Sequence, residues 1–166
     1  MKIRVGGHSA NALLDMINNR GIELNDHAKR YINDMRYSVS VVSSVVDVKF
    51  VTAAELGFEE GGTLKEIIAA ASRNGLELCP ADTAFYLRMA LSDQEKTEGD
   101  VLTIGDCPQG AITVASRSFC NIAGIHRGFY LRNAVGSLWI RGYECDEGHV
   151  WPPISVFAFS VKDAGL

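Results

Sequence analysis

The chain has 166 residues, of which 47% are hydrophobic and 22% charged, with a formal net charge of −4. This composition excludes a disordered chain, and the length suits a single domain that buries roughly 70% of its unfolded surface. The first 36 residues carry six Lys or Arg against four Asp or Glu, which leaves −6 for the rest and argues against a general nucleic-acid binder, since that needs a basic stripe to neutralise several phosphates.

Lys2 and Arg4 are followed by no continuous apolar stretch and no small-residue cleavage site, so a secretory signal is not expected. The valine-rich run from Val39 to Val51 is broken by Ser43, Ser44, Asp47 and Lys49, which argues against a membrane span. The expected location is cytoplasmic, with Cys79, Cys107, Cys120 and Cys145 as reduced thiols rather than a disulfide framework.

Ser9 is a good N-cap for "ANALLDMINNR", where Leu13, Leu14, Met16 and Ile17 gather on one side and Gly21 supplies a stop. Asn25 or Asp26 can cap "HAKRYINDM", with Ala28, Tyr31, Ile32 and Met35 on a common face. Two helices joined by "GIELN" predict a helical hairpin, and with it a helix-turn-helix DNA reader as an alternative function, although no basic recognition face accompanies them. From Ser38 to Val51 the alternation of Val46, Val48 and Phe50 with Asp47 and Lys49 predicts a strand with one wet face. "TAAE" and "TLKE" both have capping-box form, and the second opens a helix over "TLKEIIAAASRN" that Gly75 ends.

In "GLELCPADTAFYLRMALSDQ", Leu76 and Leu78 suit a short extended piece, and Pro80 forces Cys79 out of the helical region. Leu87, Met89 and Leu91 alternate with Arg88, Ala90 and Ser92, which predicts a strand; "VLTIG" is its expected antiparallel partner across the polar "SDQEKTEGD". "AITVASRSF", "GFYLRNA", "GSLWIRGYEC" and "ISVFAFSVK" read as further strands, and their close spacing predicts antiparallel pairing. The expected architecture is α+β, with N-terminal helices packed on a mainly antiparallel C-terminal β-sheet of about five strands. Residues 1–166 form one domain on this reading: a helical hairpin portion at 1–36, mixed strand and helix at 38–78, and mainly β at 79–166.

The segment from "ELGFEEGGTLKEI" through "GLELCPADTAFYLRMALSDQ" to "GDVLTIGD" resembles a family of uncharacterised bacterial proteins with an LGF, a T-x-x-E-I helix, a G-L-E-L-C-P joint, an L-R pair and a D-Q followed by a glycine. The resemblance continues more loosely through "GSLWI" and "VFAF". It departs from the pattern at Phe85, where a second proline is expected, and in "GDVLTI", which lacks a tryptophan. The resemblance implies no catalytic role for any residue.

Among the thiols, Cys79 precedes a helical turn that would favour a thiolate, but Asp82 in the same turn opposes it, and a buried structural cysteine is the plainer reading. Cys79 or Cys120 beside His126 is the arrangement that nucleophilic catalysis would use, so Cys79 and His126 are the catalytic candidates of an alternative small-enzyme reading. Cys107, Cys120, Cys145 and His149 offer soft metal ligands without the tight paired spacing of zinc sites, and the two Cys-Pro pairs match thiolate-ligated haem proteins only as dipeptides. No metal and no cofactor are expected. Trp139, Arg141, Tyr143, Arg132 and Trp151 are the residue types that dominate binding hot spots, and alternation in "LWIRGY" puts Trp139 and Arg141 on the face opposite Leu138 and Ile140. The leading expectation is a non-catalytic binding or protein-interaction domain. Its expected partner is another protein or a second copy of the chain, with a small ligand as the alternative and neither nucleic acid nor membrane.

Overall fold

The computed structural model describes residues 1–34, 37–98, 108–118 and 124–162. In chain order the elements are β1 (Lys2–Val5), α1 (Ala10–Asn18), β2 (Glu23–Leu24), α2 (Asp26–Asn33), β3 (Ser44–Thr52), a 3-10 turn (Ala54–Leu56), β4 (Gly62–Thr63), α3 (Leu64–Arg73), β5 (Leu76–Glu77), α4 (Thr83–Ala90), β6 (Ile112–Val114), β7 (Ile125–Ala134), β8 (Ser137–Asp146), β9 (Val150–Trp151) and β10 (Val156–Val161). The helix starts follow their capping chemistry. Ser9 Oγ accepts from the Ala12 N–H at 3.2 Å, Asn25 Oδ1 accepts from Ala28 at 2.9 Å, and Thr63 and Glu66 close a reciprocal capping box. The Thr52–Glu55 pair makes the same reciprocal bonds but opens only the 3-10 turn.

The fold is α+β. Among the described residues eight strands share one mostly antiparallel sheet, in the order β1-β3-β10-β6-β7-β8-β2, with β5 beside the end of β10; β4 and β9 pair separately. This corrects the expectation of about five C-terminal strands, because the N-terminal third supplies β1, β2 and β3. Two pairings are parallel, β10 with β6 and β2 with β8. Short sequence spacing argued for antiparallel neighbours, but both pairs join strands far apart in the chain, where the intervening elements make the crossover. Residues 101–105, the expected partner strand "VLTIG", lie outside the described residues.

The helical hairpin is also corrected. β2 intervenes between α1 and α2, and the helices seat on different neighbours, α1 on α4 and α2 on β8. The strand expected from the 87–92 alternation is α4. That expectation needed Arg88 to face water, but Arg88 is fully buried, and Thr83 to Arg88 are all buried in succession. A helix covered on every side carries no amphipathic stripe, so its period was hidden.

Register divides the sheet into two faces. One carries Ile3, Val46, Val48, Val114, Phe129, Leu131, Ile140 and Ala158 against α1, α2 and α4. Phe129 is the hub, with edge-on contacts to Phe85, Tyr37 and Tyr31 at ring centroid distances of 5.3, 5.8 and 5.9 Å. On the other face Val51, Phe157 and Phe159 pack with Leu64, Ile67 and Ala71 of α3 and with Trp151 of β9.

The contact that seats α2 runs through Asn25. Besides capping the helix, its amide accepts from the Gly142 N–H at 2.8 Å and donates to the Gly142 carbonyl at 3.1 Å, so a side chain continues the hydrogen bonding of the β8 edge beyond β2. A Cβ on Gly142 would lie 2.7 Å from the Ala28 nitrogen, so only glycine lets the start of α2 approach this closely.

β7 and β8 join through Val135 and Gly136, with φ of 53° and 76°. Positive φ at both central positions is what a two-residue I′ hairpin requires, and it strains a β-branched residue. Val135 is 70% exposed, so its side chain gives little packing in return. Val135→Asn is therefore expected to raise stability by about 0.5–1 kcal/mol in urea denaturation, because Asn accepts the left-handed conformation at lower cost; a loss of stability would refute the strain.

Candidate functional site

The face of β7 and β8 opposite Phe129 carries a different chemistry. Alternation places Trp139, Arg141, Tyr143 and Cys145 on it from β8, and the register sets Arg132, Tyr130, Gly128 and His126 directly across from them on β7. All five sequence-predicted binding residues meet here, since Trp151 packs edge-on against Tyr143 with ring centroids 5.5 Å apart. Trp139 and Tyr143 are half-buried, whereas Arg132, Arg141 and Trp151 are buried. The constellation is therefore recessed rather than a protruding patch.

Arg141 sits between two rings. Its Nε donates to the Tyr130 hydroxyl at 2.8 Å, and its guanidinium carbon lies 5.4 Å from the Trp139 ring centroid and 6.0 Å from that of Tyr130. Such stacking favours arginine over lysine, because the planar cation is weakly hydrated and matches the ring face. The indole is held in turn, with Nε1 donating to the Ala134 carbonyl at 3.2 Å. Arg132 donates from Nε to Thr97 Oγ1 at 3.2 Å. The row extends to β6, where Thr113 pairs with Tyr130 and is fully buried.

The segment after α4 braces this end of β7. Thr97 donates its N–H to the Asn133 carbonyl at 2.9 Å, and Gln94 Nε2 donates to the carbonyls of Gly110 and Leu131 at 2.9 and 3.2 Å. Behind them Arg88 donates to the Gln94 side-chain oxygen, the Leu91 carbonyl and the Arg132 carbonyl. Burial lowers the Arg88 pKa to about 10. These bonds tie α4 to the strand that carries Arg132. Arg88 and Thr113 escaped the sequence analysis. Arg88 read as the wet face of a strand, and Thr113 acquires meaning only from the pairing of β6 with β7.

The catalytic candidates are not brought together. Cys79 is buried between β6 and β10, with its Sγ 3.6 Å from the Ala158 carbonyl, and burial pushes its pKa up to about 12. His126 lies across the sheet on β7, stacked on Tyr143 at 6.0 Å. Its cross-strand neighbour is instead Cys145, whose thiol is raised to about 11 by burial and by the Asp146 carboxylate, while burial lowers His126 to about 4. Moving a proton from that thiol to that imidazole is uphill by several orders of magnitude, and no hydrogen bond joins these two described side chains. Cys107 and Cys120 lie outside the described residues. Among the described residues no group of three or more His, Cys, Asp and Glu is arranged to hold a metal, and His149 packs edge-on against Trp151 at 5.3 Å.

Two shallow cavities of about 430 and 370 Å³ meet at Leu78 and Arg117; Cys79 lines the larger and Phe159 the smaller. Among the described residues no helix is long and apolar enough to cross a membrane. No family model, no curated protein and no solved structure matches the chain.

Two measurements test these electrostatics. Iodoacetamide at pH 8 is expected to leave Cys79 and Cys145 unmodified in the folded protein and to label both once denaturant is added, read by peptide mass mapping; rapid native labelling of either would contradict the raised thiol pKa. Because burial favours neutral His126, the unfolded chain takes up that proton first, so stability falls as pH drops from 6.5 toward about 4. Replacing His126 by Phe keeps a ring on Tyr143 and is expected to remove about 2–3 kcal/mol of that acid-side loss, measured as the wild-type-minus-variant difference in unfolding free energy across the window.

Proposed function

We propose that this chain is a non-catalytic binding or protein-interaction domain whose contact surface is the arginine–aromatic face of β7 and β8. One observation carries the reading: Trp139, Arg141, Arg132, Tyr143 and Trp151, drawn from separate stretches of sequence, converge on one side of a single hairpin and its β9 neighbour. Arg, Trp and Tyr dominate binding energetics because they bring large areas at low entropic cost, together with polar tips that must be paired. A ligand group, or a side chain of a partner protein, would enter beside the half-buried Trp139. The protonation states of Cys79, Cys145 and His126 favour this reading over a Cys/His enzyme.

Native mass spectrometry after gentle purification provides the test. The expected result is an additional non-covalent mass, either a second copy, a polypeptide or a small molecule, that Trp139→Ser removes while circular dichroism shows the fold retained. Retention of the same mass by the variant would reject the face. Turnover of any substrate that native thiol alkylation abolishes would reject the non-catalytic assignment.

A further inference from the structure

Several charged groups among the described residues are answered. Arg127 pairs with Glu144 at 3.2 Å, the N-terminal amine with Asp47 at 3.1 Å, and Arg88 with a side-chain amide and two backbone carbonyls. Arg141 is different. It is 93% buried, its one hydrogen bond is donated to a neutral phenol, and among the described residues no carboxylate stands within ion-pairing distance. The Trp139 and Tyr130 rings offset part of the desolvation, yet the Nη groups, four N–H donors, have no acceptor among the described residues.

A second group in the same row points the same way. Thr113 is fully buried and its Oγ1 has no hydrogen-bond partner among the described residues, although leaving a buried hydroxyl unpaired is costly. Register sets Thr113, Tyr130 and Arg141 side by side across β6, β7 and β8, at the roughly 5 Å spacing of neighbouring strands. Tyr130 uses its oxygen to accept from Arg141 Nε and keeps its own proton to donate. The row thus presents a hydroxyl, a phenol and the free edge of a guanidinium, all able to donate, with a second arginine on the next row at Arg132.

We propose that Thr113, Tyr130 and Arg141 form an oxyanion subsite that takes the carboxylate or phosphate group of the ligand, with the Trp139 indole as the wall against which the rest of that ligand lies. The inference rests on β7 and β8 being the contact face and adds the chemistry of what enters it. Planar, charge-assisted donors select oxyanions over neutral carbonyls, and a site recessed from water strengthens that preference.

The test uses the full chain carrying Trp151→Phe, so that emission reports Trp139, whose indole lies against the Arg141 guanidinium. Inorganic phosphate and acetate are titrated separately at constant ionic strength, with chloride as the balancing salt. The expected result is a saturable emission change with at least one of the two anions. Arg141→Gln should weaken it tenfold or more, Arg141→Lys several-fold and Thr113→Val several-fold, with melting temperatures within a few degrees of the parent for the last two. The anion that responds identifies the ligand group as phosphate or carboxylate. A flat response to both anions would overturn the subsite, as would equal affinity in the parent and the folded Arg141→Lys and Thr113→Val variants. If the Trp139-dependent extra mass persists in native spectra while the anion response is flat, the contact face stands and only the oxyanion assignment falls.

Discussion

The arrangement of the candidate site depends on the register of one hairpin. Ten consecutive cross-strand pairs, from Ile125 with Asp146 to Ala134 with Ser137, set β7 against β8 around the Val135–Gly136 turn. Side chains alternate with a period of two, so a slip of one residue in either strand would carry its whole set to the opposite side. Arg132 or Arg141 would then face Phe129 and the apolar core, and Leu131 or Ile140 would leave it. The cost of that exchange is what allows a strained valine to persist in the turn. A one-residue slip therefore leaves neither face with its proper side chains.

The same molecule holds its guanidinium groups in three ways, and the differences follow burial. Arg127, half-buried on the Phe129 face near the start of β7, shares the partly exposed Glu144 with Arg30 and His27, an arrangement of small net worth. Arg88, fully enclosed, is surrounded by carbonyl dipoles and an amide and acts as a tie between α4 and β7. Arg141 is sandwiched by rings. Dipoles and π faces stabilise a cation without neutralising it, and among the described residues no carboxylate pairs with Arg88 or Arg141, in a chain whose net charge is −4.

Much of this was legible in the sequence where the signal is local. Caps at Ser9, Asn25 and Thr63 and the alternation within 125–146 and 156–161 depend on neighbours a few residues away, and the structure has those elements where the pattern puts them. Parity alone placed Trp139 with Arg141 and away from Ile140, which is fully buried. Long-range facts were hidden. Nothing local says that "KIRV" pairs with β3 or that Thr113 faces Tyr130, because strand order is decided by packing between distant segments. α4 was misread for a related reason. Its burial on every side is a property of what surrounds it, and an arginine enclosed by carbonyls looks in sequence like one facing water.

The position of β10 bears on how the molecule is assembled. Residues 156–161 lie between β3 and β6, so two strands made much earlier cannot reach their final neighbour until the last described strand exists. During synthesis at ~5–20 residues per second, β3, which ends at Thr52, waits with an open edge far longer than β6, which ends at Val114, before β10 begins at Val156. Contacts of such sequence separation slow folding, and open edges invite pairing with other chains. The centre of the sheet thus cannot close before β10 has been made, and until then the facing edges of β3 and β6 lack their strand partner.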